Sequence, residues 1–172
     1  MSAWQFRTEL LPIEALVQRH GSLPASLPVE RLSFVNLLEI GEESINESVK
    51  YWSEIHDHRR VEDSCSQLLP EIRSWSRSAR MFGDKRGDSV AIWKSDVGKI
   101  EDIRLNFNLS IPNTSFVRAA LACVSENDCM LHDIQNCGVF LPTAENFVES
   151  ATRCSAAKFL PQPNCLKELM GD

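Results

Sequence analysis

Glycine is scarce in this chain, and the loops that depend on it are missing. Seven glycines are spread over 172 residues. None builds a G-x-x-x-x-G-K-[ST] loop, or a G-x-G-x-x-G turn after a strand, so little is left to cradle a phosphate. A G-x-S-x-G elbow and an H-E-x-x-H pair are also lacking. The motif-bearing enzyme classes are therefore disfavoured. Apolar runs are short, and none approaches the roughly 18 residues a membrane-spanning helix needs, so no membrane association is expected. The opening MSAWQFRTELLP carries Arg7 and Glu9 and has no basic stretch leading into an apolar one, so no secretory signal is expected. There is no internal repeat and no low-complexity segment.

No two cysteines have C-x-x-C spacing. Cys65, Cys123, Cys129, Cys137, Cys154 and Cys165 are too sparse for a small disulfide scaffold. Together with the missing signal, they are expected to be reduced thiols in a cytoplasmic protein. Cys123 and Cys154 fall on apolar faces of predicted helices, where a thiol behaves as a small hydrophobe. The chain also lacks excess positive charge. Its formal net charge of −6 argues against non-specific nucleic-acid binding and favours a basic partner.

What is present is strongest between Arg80 and Ser110. Ser89 to Lys94 reads SVAIWK, rich in β-branched and aromatic residues that suit a pleated surface. From Asp102 to Leu109 the apolar residues Ile103, Leu105, Phe107 and Leu109 alternate with Asp102, Arg104, Asn106 and Asn108, the period of a strand with two unlike faces. Ser95-Asp96-Val97-Gly98 between them reads as a tight turn. A further turn at Asp84 to Asp88 implies a short strand near 80–83 and a three-stranded meander. The same turn absorbs the Arg86-Gly87-Asp88 tripeptide.

Trp4, Phe6, Thr8 and Leu10 alternate with polar residues and predict a first strand, at an edge of the same sheet. Pro12 suits the start of a helix over 13–20, ended by Gly21. The run 29–40 is ambiguous between helix and strand. Ser44 and Glu47 form a capping box ahead of a helix expected over 44–57. Asp57 to Ser66 is polar, and Gln67 to Trp75 suggests a short helical stretch interrupted at Pro70. A subdivision of the chain would fall near 60–75, but a single domain is favoured. Asn113 or Thr114 caps a helix ending near Asn127. Cys129–His132 and Val139–Leu141 are short strands about a turn, and Thr143 caps a last helix. This order predicts an α+β fold: an antiparallel meander or sheet with helices packed on one face.

The candidate binding residues are Asp102, Arg104, Asn106 and Asn108, which project together from one strand face, and Trp75, an aromatic among serines and arginines. The reading favoured for the strand face is a solvated surface, since alternation alone places polar residues there. His56 and His58 could meet on a metal only in an extended or looped segment. Cys129, His132 and Cys137 offer either zinc ligands or a thiol and base, but Cys129 and His132 would sit on opposite faces of a strand. No metal and no cofactor is expected, and no catalytic residue is assigned.

In whole-chain character (acidic, cysteines unpaired, without catalytic signature) the sequence resembles small acidic bacterial α+β proteins, some of which are immunity proteins that neutralise a toxin. No motif carries the resemblance, so no residue role transfers. It implies a non-catalytic protein that masks a basic protein partner through an acidic surface. The alternatives are an enzyme with a dispersed active site and a homo-oligomeric structural subunit.

Overall fold

The computed structural model describes residues 3–27, 51–53, 55, 58–162 and 164–169. The run 29–40, most of the helix expected over 44–57, and His56 and Asp57 lie outside the described residues; Tyr51 and Trp52 are helical. The described chain follows strand β1 (Gln5–Pro12), helix α1 (Ile13–His20), α2 (Arg59–Ser66), β2 (Glu71–Ile72), β3 (Ala79–Gly83), β4 (Ser89–Lys94), β5 (Ile100–Asn108), α3 (Thr114–Glu126), β6 (Cys129–Asp133), β7 (Val139–Phe140) and α4 (Ala144–Arg153). The strands form one antiparallel sheet in the order β2-β3-β4-β5-β1-β6-β7. The class is α+β, as the sequence predicts.

The meander β3-β4-β5 forms where the alternation places it. Its second turn closes with Ser95 N–H donating to Lys99 O at 2.8 Å, and Gly98 sits at φ 80°, a conformation that favours glycine. Gly83, at φ 87°, has no room for a side chain: a Cβ would lie 2.4 Å from the Asp88 carbonyl oxygen. Both later helices start at the expected caps. Asn113 Oδ1 accepts from Phe116 N–H at 3.1 Å, and Thr143 Oγ1 accepts from Asn146 N–H at 3.3 Å.

Two expectations need correction, and one helix was not foreseen. β1 is central, not an edge: it pairs with β5 (Phe6 opposite Phe107) and with β6 (Leu10 opposite Leu131). Every residue of β1 except Arg7 is buried. Alternation reports two faces and says nothing about how many neighbours a strand has. The stretch around Pro70 is not helical. Pro70 O accepts from Gly83 N–H at 2.8 Å, which lays Glu71 and Ile72 alongside β3 as a two-residue strand. Within the polar stretch from Asp57 to Ser66, α2 forms instead, with Val61 and Cys65 one turn apart as its only buried residues.

The sheet's register gives it two unlike faces. On one, Phe6, Val90, Ile92, Ile103, Leu105 and Phe107 meet α2, α3 and α4 in the main core. Phe147 of α4 stands edge-on to Phe107 at 4.8 Å and to Phe6 at 5.5 Å. Each such ring contributes about 1.5–3 kcal/mol by leaving water. α1 is the exception to one-sided packing. It follows β1 with no loop between them, and Ala15 and Leu16 join Leu11, Met130, Val139 and Tyr51 in a smaller cluster on the opposite face.

Candidate functional site

The strand face that carries Asp102, Arg104, Asn106 and Asn108 lies opposite the aromatic core; Asp102 is buried and the other three are partly exposed. Register aligns Arg104 with Glu9 of β1, and Glu9 with His132 of β6, so three strands bring their side chains into one row. Arg104 Nε lies 2.5 Å from Asp102 Oδ2, and another guanidinium nitrogen lies 3.4 Å from Glu9 Oε1. The second oxygen of Glu9 meets His132 Nδ1 at 3.3 Å. Asp102 is 1% exposed, His132 6% and Glu9 7%. Buried charges are tolerated when paired in this way. Arg7 lies on the same face. Burial, and then the Arg104 charge, hold its guanidinium below the ordinary value.

Glu9 is the member that sequence reasoning missed, and His132 was named only beside Cys129 and Cys137, not in this row. Their signal was parity: Arg7 and Glu9 occupy the polar positions of β1, but only the pairing shows what stands opposite them. His132 is set up as a carboxylate-oriented imidazole, and its Nε2 is buried without a hydrogen-bond partner. To activate a nucleophile of the protein itself, it would need a hydroxyl or thiol at that nitrogen. None is bonded there among the described residues, because Cys129 lies three positions away in the strand and faces the other side. Its thiol donates to Asn127 O at 3.3 Å, and burial pushes its pKa up to about 12. Cys129, His132 and Cys137 do not converge, and no metal-binding cluster exists among the described residues.

The other candidates have local roles. Asn106 Nδ2 donates to Ser89 Oγ at 3.0 Å. Asn108 Oδ1 accepts from Ser110 N–H at 3.0 Å and Ser110 Oγ at 2.7 Å, closing the exit from β5. Both ring nitrogens of His58 are engaged: Nδ1 accepts from Ile100 N–H at 3.2 Å, which leaves Nε2 to donate to Ile55 O at 2.5 Å. The turn containing Arg86-Gly87-Asp88 is pinned from β1, with Gln5 Nε2 donating to Gly87 O at 2.6 Å and Trp4 Nε1 donating to Arg86 O at 2.8 Å. Trp75 is 69% exposed and sits edge-on to Trp93 at 5.3 Å. Its loop is held by Ser74 Oγ and Ser76 Oγ, which accept from Ser76 and Ser78 N–H.

A cleft of about 280 Å³ opens at the opposite end of the aromatic face, between the start of α1, α2 and the turn from α3 into β6. Trp52, Val61, Pro12 and Cys129 form its apolar floor, with Glu14, Arg60, Asn127 and Asp128 around them. Arg60 donates to the Glu126 carbonyl at 2.5 Å. Glu14 and Asp128 are exposed, and neither carboxylate has an ion-pair partner among the described residues. Asp128 is held at φ 51° while its carbonyl accepts from Ile13 N–H at 2.9 Å, which ties the two rims together. A concave apolar floor with unspent carboxylates at its edge suits a cationic group on an aliphatic stem.

Compared with protein-family models, curated proteins and solved structures, the chain matches none.

Proposed function

We propose that this chain is a non-catalytic binding protein of the immunity type, which masks a basic protein partner. The observation that carries the proposal is the cleft between α1, α2 and the α3–β6 turn. There an apolar floor meets carboxylates that have no ion-pair partner among the described residues, Glu14 and Asp128. A lysine or arginine of the partner supplies both the missing charge and a methylene stem to lie over Trp52 and Val61. The net charge of −6 steers such a partner toward the surface. Trp75, exposed and braced by Trp93, offers a second, aromatic contact of the kind that anchors interfaces. The homo-oligomeric alternative has little edge to use, since both outer strands of the described sheet are two residues long.

The test is titration with a lysine-rich peptide, and capture of partners on the tagged chain, each at low and high salt. Binding is expected to weaken as salt rises. The double variant Glu14→Gln, Asp128→Asn should weaken it roughly 2- to 30-fold, because exposed ion pairs are worth about 0.2–1 kcal/mol each. Asparagine tolerates positive φ, so the second change leaves the turn intact. Binding indifferent both to salt and to the double variant would overturn the proposal.

A further inference from the structure

Behind the cleft, two thiols touch. Cys65 of α2 and Cys123 of α3 lie with their sulfurs 3.8 Å apart, both buried in the main core. Each sits one helical turn from a residue of the cleft: Cys65 from Val61 on α2, and Cys123 from Asn127 beyond α3. Asn127 Nδ2 donates to Cys123 O at 2.7 Å and approaches its sulfur at 3.9 Å, so the thiol and the cleft edge are mechanically joined.

We propose that Cys65 and Cys123 are an oxidisable pair, which closes to a disulfide under a peroxide and fixes the spacing of the cleft walls. A disulfide needs the sulfurs about 2.05 Å apart, so each must move by under roughly 1 Å. That is within reach of side-chain rotation and a small shift of α2 on α3. The pair is polarised for this chemistry. The hydrogen bond between the sulfurs, with burial, raises the Cys65 thiol above its ordinary value, while the same hydrogen bond lowers Cys123. Cys123 as thiolate attacks one oxygen of hydrogen peroxide, giving a sulfenic acid and hydroxide. The Cys65 sulfur then displaces the sulfenic oxygen, its proton leaving with that oxygen as water, and the S–S bond forms. Peroxide is the two-electron oxidant, and no other co-reactant is required. The bond chemistry stands by itself; its effect on partner binding rests on the cleft reading above.

The experiment treats the reduced full-length chain with a small excess of hydrogen peroxide, alkylates the remaining thiols, and maps the unreduced digest by mass spectrometry. A Cys65–Cys123 linked peptide is expected, with the other four of the six cysteines alkylated. The oxidised protein should melt several degrees higher, reversibly with dithiothreitol, because the crosslink restricts the unfolded chain. Cys65→Ser should stop at the Cys123 sulfenic acid, trapped by dimedone; should that variant fail to fold, Cys123→Ala serves, and must abolish the link. Six free thiols after treatment, a link from Cys123 to Cys129, or sulfinic and sulfonic products without a crosslink would each overturn the proposal. None of these readouts involves a partner, so failure here is separable from failure of the binding role.

Discussion

Glu9 and Glu14 belong to one continuous stretch of sequence, within β1 and at the start of α1, and the fold treats them oppositely. Glu9 is buried, with one oxygen toward Arg104 and the other toward His132. Glu14 is exposed at the cleft and unpaired among the described residues. The same side chain is architecture in one place and unspent charge in the other. The contrast separates charges that hold the sheet from charges available to something outside it, and it can be broken by experiment.

The largest effect is expected for Glu9→Ala, which strips Arg104 and His132 of a shared carboxylate in a mostly buried row. Urea unfolding should show a loss of about 1.5–3 kcal/mol, the scale of hydrogen bonds to charged groups. A loss below about 0.5 kcal/mol would mean that the row is not structural. Glu62 of α2 is an intermediate case. Burial would raise its pKa, but hydrogen bonds and charge from Lys94, at 2.6 Å, and Arg80, at 3.0 Å, bring it below the ordinary carboxylate value. A carboxyl with a lowered folded pKa stabilises the fold above its unfolded pKa, and that contribution drains away as pH falls through the folded value. Glu62→Gln should therefore flatten part of the acid limb of a stability–pH curve; an unchanged limb would show that the pairs contribute nothing. The smallest effect belongs to Glu14→Gln, expected to alter stability by less than about 0.5 kcal/mol. A larger loss would place Glu14 with Glu9 as a residue the fold requires.

Much of the fold was legible because its signals are local. Period-two alternation marks β5, and Asn113 and Thr143 announce α3 and α4 through their own side chains. Gly21 closes α1 at φ 73° as its position suggested. The failures are also physical. α2 presents only Val61 and Cys65 inward, too thin a stripe to read among charged neighbours. β2 exists through its pairing with β3, next to the bond from Gly83 N–H to Pro70 O.

The candidate sites were less legible. Asp102 and Arg104 could be named from alternation, but not the burial of Asp102 or their bond to each other. Glu9 and His132 reach them through pairings that span most of the chain. The cleft joins α1, α2 and the α3–β6 turn, whose residues carry no shared motif.

The sequence by itself determined most of the described strands and helices but not α2 or β2, where several of them begin and end, the acidity of the whole, and the absence of the common catalytic signatures. These follow from side-chain periodicity, capping chemistry and composition, each of which acts over a few residues. Only the tertiary structure decided that β1 is central, that the polar row is mostly buried and paired, that Glu14 and Asp128 stand at a cleft without an ion-pair partner among the described residues, and that Cys65 touches Cys123. These depend on which segments meet, and a local pattern is compatible with many partners until the sheet register selects one.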